Sequence, residues 1–488
     1  MNNYSRYYFL GIGGIGMSAL ARYFSQKGYA VSGYDRTPTP LTADLEKEGI
    51  AICYEDEIAA IPDKFLEPHS TFVVYTPAMP PDSVQLNYFR NHNFKILKRS
   101  ELLGQITRQS KSLCIAGTHG KTTTTTITAH LLYQSAVGCS AFLGGIANNY
   151  NSNLLLSKDS NLVVVEADEY DRSFLQLSPY MAVITSLDPD HLDIYGSAEE
   201  FRRGFEQFAE KVQAGGTLII KKDIENLLSF PNLTGLKRYA YSMSDGTADF
   251  YAENIVLRNG EIHFDWVAPT ARISDLRLQA PIKINVENSV AAIALAWLNG
   301  VSEEEIRIGI SSYSGIYRRF NTVYKSEKTV YIDDYAHHPN ELKASISSIR
   351  AIYPDRKITG IFQPHLYTRT RDFAAEFAEA LSALDELILL DIYPAREEPI
   401  DGVTSGIIFD KVKLENKTWI KDREQRTKNK EQRQELQLSQ SSDSKESNSV
   451  FSIFNFQISI LNSDVLVTFG AGDIDRLVPE IKKTLSNK

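Results

Sequence analysis

The chain has 488 residues, a length that predicts about three domains. Hydrophobic residues make up 43% and charged residues 23% of the chain, which is a globular composition with enough apolar side chains for large cores. The 52 basic and 61 acidic residues give a net charge of −9, so the chain has no overall basic field for nucleic acid or anionic membranes. Any polyanionic ligand must therefore be bound by local basic groups.

The cysteines and the N-terminal sequence indicate the compartment. Cys53, Cys114 and Cys139 are too few, and odd in number, for a disulfide framework. The first residues, MNNYSRYYFLGIGG, lack the basic flank and long apolar run of a secretory leader. No run of about 18 apolar residues predicts a membrane span. We therefore expect a cytoplasmic protein without nucleic-acid or membrane partners.

Short apolar runs alternate with amphipathic stretches along the chain. This alternation predicts an α/β protein in which strands of parallel sheets are connected by helices. We place domain boundaries near residues 108 and 318. The predicted strands cover residues 7–10, 30–31, 113–116, 162–165, 182–185, 330–332, 358–362, 387–390 and 465–469.

One polar segment, residues 421–449, interrupts the third block of strands. Its large apolar residues are Leu436 and Leu438, which bury too little surface to offset the entropy of ordering. Acidic and basic residues are interleaved within it, so a solvated surface excursion is favoured over a nucleic-acid-binding arm.

A glycine- and threonine-rich loop follows the strand predicted at 113–116. Such a loop presents backbone N–H groups to phosphate, and the following helix dipole adds to the attraction. Lys121 would contact the β- and γ-phosphates, and the Thr122 hydroxyl would bind Mg²⁺. Ile115 stands where the standard P-loop has its first glycine, so this is a shorter G-x-x-G-K-T-T form. The predicted nucleotide-binding residues are Gly117, Thr118, His119, Gly120, Lys121, Thr122 and Thr123.

Acidic residues end the next two predicted strands of this block. The run VVVEADE places Glu166 at a strand end, where a carboxylate can bind a cation beside the phosphates. The run SLDPDHLD follows the next strand and contains His191. His191 is either a second metal ligand or a hydrogen-bonded loop residue, and the sequence leaves both open.

A second glycine loop, GIGGIG at residues 11–16, follows the first predicted strand. Asp35 lies 19 residues after Gly16, so the spacing matches a dinucleotide-binding fingerprint with Asp35 on a ribose hydroxyl. This is the best case for a dehydrogenase. A hydride-transfer enzyme does not need the Lys–Thr phosphate loop, and two loops indicate two phosphorylated substrates. The candidate residues are Gly11, Gly13, Gly14, Ile15, Gly16 and Asp35.

Basic and imidazole side chains cluster around the strands of the third block. DDYAHHP follows one strand, RRF precedes it, and QPHLYTRTR follows the next strand. Cations here would suit a carboxylate or a transferring phosphoryl group. Arg371 is also explained by a solvated helix face, whereas Arg369 lies nearer the strand end. GAGD at 470–473 is either a ligand-facing turn or a tight strand–helix connection.

Together these segments resemble the Mur ligase family, and most closely its alanine-adding branch. The resemblance covers nearly the whole chain apart from the polar segment. It implies a Rossmann-like UDP-sugar domain at 1–108, a central P-loop ATPase-type domain with a parallel sheet at 109–318, and a Rossmann-like C-terminal domain at 319–488. Its motifs are GIGGIGMSALA, GTHGKTTT, EADEYDRSF, DHLDIYG, RRF, DDYAHHP, QPHLYTRTRDF, DIYPAREEPIDGV and TFGAGDID.

The resemblance also implies roles for individual residues. Loop 11–16 would hold UDP rather than NAD. Ile284 and Leu366 depart from the family pattern, which often has a histidine and a basic residue at these positions. FRRGFEQF lacks the lysine that related amide ligases carbamylate, as expected for the alanine-adding branch. The implied roles are ATP phosphates for Lys121, Mg²⁺ for Thr122, Glu166 and His191, adenine for Asn285 and Asn288, interdomain ATP contacts for Arg319 and Asp334, and the amino-acid and acyl-phosphate end for His338, His365 and Arg369.

The implied reaction uses ATP and Mg²⁺ to join L-alanine to the lactyl carboxylate of UDP-N-acetylmuramate. The γ-phosphoryl group would convert the carboxylate into an acyl phosphate, which the amine attacks, and closure of the C-terminal domain would exclude water. Three alternatives remain: a dehydrogenase, a relative that couples a preformed peptide to the same sugar, and a non-catalytic nucleotide-binding switch.

Overall fold

The structure is a computed structural model, and it describes residues 4–190, 192–230, 235–258, 261–279, 282–395, 397–421 and 463–487. His191 and residues 422–449 of the polar segment lie outside the described residues. The chain divides into two compact units, Met1–Gly315 and Ile316–Lys488. Among the described helices, none combines the length and apolar character needed to cross a bilayer.

The first sheet has the strand order β3-β2-β1-β4-β5 with parallel neighbours throughout. Tyr7 and Phe9 of its central strand pack into one hydrophobic core, and Tyr8 and Leu10 pack into another on the opposite face. A strand covered on both faces needs a continuous apolar run, which is what the sequence has here. The elements are β1 (Arg6–Leu10), α1 (Ile15–Gln26), β2 (Ala30–Tyr34), α2 (Pro40–Lys47), β3 (Ala51–Cys53), β4 (Thr71–Tyr75), α3 (Val84–Asn91), β5 (Lys95–Lys98) and α4 (Arg99–Arg108), with 3₁₀ helices at Ile58–Ala60 and Asp63–Phe65.

The second sheet has the order β15-β14-β13-β12-β11-β10-β6-β9-β7-β8. Strands β12, β11, β10, β6, β9 and β7 pair in parallel, and β6, which leads into the phosphate loop, lies between β10 and β9. The elements are β6 (Lys111–Ala116), α5 (Lys121–Tyr133), β7 (Ser140–Ala147), β8 (Ser152–Leu155), β9 (Leu162–Glu166), β10 (Met181–Ile184), α6 (Leu192–Tyr195), α7 (Ala198–Ala209), β11 (Thr217–Lys221), β12 (Lys237–Ser242), β13 (Phe250–Arg258), β14 (Glu261–Ala268), β15 (Ala271–Leu278), α8 (Lys283–Leu298) and α9 (Glu303–Ser312), with 3₁₀ helices at Tyr170–Gln176 and Lys222–Leu227.

An antiparallel extension, β13 to β15, is the main feature of this sheet that the sequence analysis did not predict. Adjacent strands pair in antiparallel fashion, and their buried residues alternate with exposed ones over part of each strand. Trp266 of β14 is fully buried and donates a hydrogen bond from its indole N–H to the Val290 carbonyl oxygen of α8. The extension is therefore stabilised by one apolar face packed on α8.

The sheet of the second unit has the order β16-β17-β21-β18-β19-β20, in which β16 is an antiparallel edge strand. All nine strands predicted from apolar runs overlap observed strands, and those at Ile358–Phe362 and Val465–Phe469 match residue for residue. The elements are β16 (Asn321–Lys325), β17 (Val330–Asp334), α10 (Pro339–Ile352), β18 (Ile358–Phe362), α11 (Tyr367–Asp372), α12 (Ala374–Leu381), β19 (Glu386–Leu389), α13 (Gly406–Phe409), β20 (Lys417–Trp419), β21 (Val465–Phe469) and α14 (Val478–Ser486), with a 3₁₀ helix at Asp473–Leu477.

Candidate active site

The phosphate loop joins β6 to α5, and α5 begins at Lys121. Gly117 and Gly120 have φ angles of 136° and 82°, a region that glycine adopts without steric cost. A Cβ atom on Gly117 would lie 2.0 Å from Oγ1 of Thr185, at the end of β10. The glycine is therefore required both by its backbone conformation and by the close approach of the neighbouring strand end.

Lys121 is held inside this loop. Its ammonium donates hydrogen bonds to the Gly117 carbonyl oxygen at 2.6 Å and to Glu169 Oε1 at 2.8 Å. Burial alone would lower the pKa of Lys121. The negative charges of Glu169, Glu166 and Asp168 outweigh that effect, so the pKa of Lys121 lies above its ordinary value. The lysine therefore stays protonated, and in this structure its charge is paired with Glu169.

Glu169 is a residue of this site that the sequence analysis did not select. It is 2% exposed, and burial raises its pKa to about 7, although the nearby Lys121 ammonium acts in the opposite direction. The run that supplied Glu166 also contains Glu169, so the signal was present. Spacing alone does not say which of these carboxylates contacts the lysine.

Glu166 ends β9, and its carboxylate lies against the neighbouring strand β7. A Cβ atom on Gly144 would lie 2.0 Å from Glu166 Oε2, so the carboxylate occupies the space that a side chain at position 144 would need. Glu166 also acts electrostatically on Lys121. The structure therefore places this predicted metal ligand beside the phosphate loop.

The segment after β10 packs directly on the phosphate loop. Thr118 donates a hydrogen bond from Oγ1 to the Asp188 carbonyl oxygen at 2.6 Å, and the His119 N–H donates to Ser186 Oγ at 2.7 Å. Thr185 Oγ1 donates to the His119 carbonyl oxygen at 2.5 Å. The position of His191, three residues beyond Asp188, lies outside the described residues.

The two predicted adenine-site asparagines lie on α8, beside the first turns of α5. Asn288 Oδ1 accepts a hydrogen bond from Thr124 Oγ1 at 3.3 Å, and Asn288 Nδ2 donates to Asn285 Oδ1 at 3.3 Å. A Cβ atom on Gly120 would lie 2.7 Å from Asn288 Oδ1. The Asn288 amide therefore adjoins the phosphate loop and Asn285 is hydrogen-bonded to Asn288, whereas the neighbouring Ile284 is exposed.

The N-terminal glycine loop is hydrogen-bonded to the predicted ribose-site carboxylate, Asp35. Asp35 follows β2, and its Oδ2 accepts a hydrogen bond from the Gly13 N–H at 2.8 Å, while Oδ1 accepts from Thr37 N–H at 3.1 Å. The carboxylate of Asp35 is thus engaged with the loop backbone itself. Its contact with Gly13 was not foreseen from the spacing, because hydrogen bonding between a loop and the next strand end is a tertiary feature.

The glycine loop is also tied to the central domain. Asn153, at the edge strand β8, donates from Nδ2 to the Ile15 carbonyl oxygen at 2.6 Å and to Ser18 Oγ at 2.8 Å. Its Oδ1 accepts a hydrogen bond from the guanidinium of Arg22. Arg22 in turn forms an ion pair with Glu48 at 2.7 Å. The start of α1 is therefore fixed against the second sheet.

In the second unit, Asp334 ends β17 and is buried. It accepts hydrogen bonds from the Phe320 N–H at 3.2 Å and from Ser345 Oγ at 2.6 Å. Burial raises its pKa above the ordinary value. The guanidinium of Arg319 lies 4.9 Å from the ring centre of Tyr335. Arg319 therefore lies near Asp334 in the same unit, because Tyr335 directly follows Asp334.

His365 and Arg369 lie together at the start of α11. An Nη1 atom of Arg369 is 3.4 Å from His365 Nδ1, and the His365 ring stacks on Tyr393 with 5.8 Å between centres. His337, which the sequence analysis did not select, contacts the same imidazole at 5.9 Å between ring centres. The third predicted residue, His338, caps α10 instead and lies against the Phe373 ring.

Position 366 lies at the start of the same helix. Leu366 has a φ angle of 72° and is buried. The sequence analysis noted this position as often basic in relatives. The buried leucine supplies no cation there.

Comparison with known proteins places this geometry in a family. Residues 6–111 match the Mur ligase family catalytic domain, residues 115–296 the Mur ligase middle domain, and residues 318–436 the Mur ligase glutamate ligase domain. A UDP-N-acetylmuramate–L-alanine ligase of Parabacteroides distasonis is 53% identical over 99% of this chain and 98% of its own length.

Solved structures share the fold. A UDP-N-acetylmuramate-alanine ligase of Thermotoga maritima superposes with a TM-score of 0.75 at 24% identity, covering 99% of this chain and 100% of that one. A murein peptide ligase of Psychrobacter arcticus gives a TM-score of 0.65 at 20% identity, covering 99% of each chain. The three-domain α/β architecture expected from the sequence is confirmed. The chain is an enzyme that belongs to the Mur ligase family.

Proposed function

We propose that this protein is the ATP-dependent ligase that joins L-alanine to the lactyl carboxylate of UDP-N-acetylmuramate in the cytoplasm, in peptidoglycan precursor synthesis, with release of ADP and phosphate. The name of the relative from Parabacteroides distasonis supports the choice of substrates. The observation that carries the activity is Lys121, held at the start of α5 by the loop that would receive the triphosphate. We assign the sugar nucleotide to residues 1–108, ATP to 109–318 and the amino acid to 319–488.

The chemistry requires activation of a carboxylate, because its own leaving group would be oxide. Transfer of the ATP γ-phosphoryl group gives an acyl phosphate, and the neutral amine of L-alanine then displaces phosphate through a tetrahedral intermediate. Lys121 would offset the charge on the transferring group, and the backbone N–H groups of residues 117–123 would bind its phosphate oxygens. Asn288 adjoins this loop, and it and its hydrogen-bonded neighbour Asn285 would contact the base.

Mg²⁺ fits the donor set beside the loop. Carboxylate and hydroxyl oxygens are the ligands that Mg²⁺ prefers, and it commonly takes one or two carboxylates, completing its shell with water and phosphate oxygens. Within the described ranges, no group of three or more His, Cys, Asp and Glu side chains is arranged to hold a metal ion. Glu166, Thr122 and His191 would hold the ion, which neutralises phosphate charge when bound.

The second unit would complete the site. Arg319 and Asp334 would contact ATP on closure of this unit, and closure would protect the acyl phosphate from water. The pair of His365 and Arg369 would bind the alanine carboxylate, with His338 near the acyl-phosphate end. Leu366 adds no cation, so we assign the carboxylate contact to Arg369 supported by the His365 imidazole.

Release of ADP with UDP-N-acetylmuramate and a series of amines tests the proposal. L-Alanine is expected to support turnover, with glycine and L-serine as probes of pocket size. Turnover with a preformed tripeptide but not with L-alanine would assign the chain to the peptide-coupling branch. Binding of NADH at loop 11–16, measured by nicotinamide fluorescence, would instead support a dehydrogenase and contradict the proposal.

A further inference from the structure

Two cations of the first domain contact the loop that follows β9 in the central domain. Arg99 Nη2 donates a hydrogen bond to Asp168 Oδ2 at 3.1 Å, and Lys98 Nζ donates to Asp171 Oδ2 at 2.9 Å. Lys98 ends β5 and Arg99 begins α4, so the two cations are adjacent in sequence. Neither residue belongs to the nucleotide-binding loops described above.

The acceptor of Arg99 lies close to the phosphate loop. Asp168 is next to Glu169, which holds the Lys121 ammonium at 2.8 Å. Asp168 also acts on that ammonium through its charge, together with Glu166 and Glu169. One carboxylate therefore contacts the cation and two more act on it through their charge, at the place where an anionic triphosphate must bind. An uncompensated carboxylate at this point would repel the ligand.

The guanidinium of Arg99 is positioned by the first glycine loop. A Cβ atom on Gly16 would lie 2.5 Å from Arg99 Nη1 and 3.2 Å from its Cδ. Arg99 therefore lies against the backbone of the first turn of α1, and glycine at position 16 leaves room for it. The same guanidinium therefore lies against Gly16 through Nη1 and pairs with Asp168 through Nη2.

We propose that Arg99 is a positioning residue for the triphosphate site, which acts across the domain boundary by neutralising Asp168 and holding it in its present place beside the phosphate loop. The inference rests on the proposed function, since it takes Lys121 as the contact for ATP. Arg99 does not itself touch the nucleotide. Its effect is electrostatic, so it depends on the charge of Asp168.

A double-mutant cycle that neutralises Arg99 and Asp168 tests this effect. Binding of the non-hydrolysable analogue AMP-PNP with Mg²⁺ is measured by calorimetry on the full chain, without sugar nucleotide. Arg99→Gln is expected to weaken binding by ~3- to 5-fold, the upper part of the range for one partly exposed ion pair. Adding Asp168→Asn is expected to restore affinity to within about twofold of wild type, because the unpaired charge is removed. Asparagine still accepts the hydrogen bond that Asp168 Oδ1 receives from Tyr170 N–H.

Two further variants separate this role from a structural one. Gly16→Ala is expected to reproduce the Arg99→Gln defect, since its Cβ atom displaces the guanidinium without touching the phosphate loop. Arg6→Gln is the matched control: Arg6 forms an ion pair with Glu67 at 2.7 Å in the same domain. It is expected to leave AMP-PNP affinity unchanged. Circular dichroism checks that each variant folds.

The outcomes distinguish this inference from the proposed function. Failure of the wild-type chain to bind AMP-PNP would overturn both. Wild-type binding with equal affinity in Arg99→Gln, or failure of Asp168→Asn to restore affinity, would overturn the positioning role alone.

Discussion

The ammonium of Lys121 lies 2.8 Å from both carboxylate oxygens of Glu169, and Glu169 is almost wholly buried. The cation proposed to bind ATP is therefore paired with an anion of the protein itself. A triphosphate must compete with Glu169 or share the lysine with it. Burial raises the pKa of Glu169, which eases this competition because the charged form of a buried carboxyl group is less stable than it would be in water.

Replacement of Lys121 by alanine is expected to lower ATP-dependent ADP release by at least ~100-fold, because the developing phosphoryl charge loses its nearest cation. The substitution also leaves Glu169 buried without its partner, which itself destabilises the site. The double variant Lys121→Ala/Glu169→Gln removes that penalty and is expected to fold normally while remaining inactive. Near-normal turnover in either variant contradicts the phosphate role of Lys121.

Gly144 provides a test of Glu166 that leaves the carboxylate in the sequence. Alanine at position 144 would place a methyl group where Glu166 Oε2 lies, so the carboxylate must move. We expect the Mg²⁺ concentration needed for half-maximal activity to rise by roughly 10- to 100-fold, as for other residues that orient metal ligands. Gly246→Ala is the control, because its nearest neighbours lie at 3.8 Å, an ordinary contact distance. Equal Mg²⁺ dependence in the two variants would show that Glu166 does not bind the metal ion.

The buried His130 is expected to make the free energy of unfolding depend on pH. Its ring nitrogens contact Tyr150 Oη at 2.7 Å and Ser312 Oγ at 3.0 Å, and burial lowers its pKa from the ordinary 6.5 to about 4. Between these values the unfolded chain binds a proton that the folded chain does not, so stability is full above pH 6.5 and is lost as the pH falls towards 4.

Relative to His130→Gln, the wild-type free energy of unfolding is therefore expected to fall by about 2 kcal/mol between pH 7 and pH 5. Urea unfolding at each pH measures this difference. The exposed His69 provides the control, and His69→Gln should track the wild type throughout. A constant difference between wild type and His130→Gln would mean that His130 is not buried in its neutral form.

Asn153 connects α1 to the central domain, so its replacement is expected to lower the stability of the protein. Asn153→Ala removes the amide that satisfies the Ile15 carbonyl oxygen and the guanidinium of Arg22. Buried groups left without partners cost about 1–3 kcal/mol each, so the urea midpoint should fall clearly. Asn87→Ala, which removes a surface hydrogen bond to the Pro81 carbonyl oxygen, should change the midpoint little. Equal midpoints in the two variants would show that Asn153 does not stabilise this contact.

Much of the fold was predictable from local sequence. The apolar runs located the strands because a strand buried on both faces needs consecutive apolar side chains. The extension β13 to β15 was missed, because its strands alternate only in part and are stabilised by contact with the distant α8. The G-x-x-G-K-T-T loop was readable for a local reason as well: its glycines and the following helix set the backbone conformation within seven residues.

The sequence by itself determined which side chains stand at the strand ends and at the phosphate loop, since these depend on neighbouring residues along the chain. Tertiary structure decided their partners. Strand order within each sheet decides that Glu169 rather than Glu166 holds Lys121 and that Asp35 binds the Gly13 N–H. The packing of the first two sheets decides that Arg99 reaches Asp168. Such contacts join residues between 22 and 69 positions apart, a distance over which no local pattern constrains geometry.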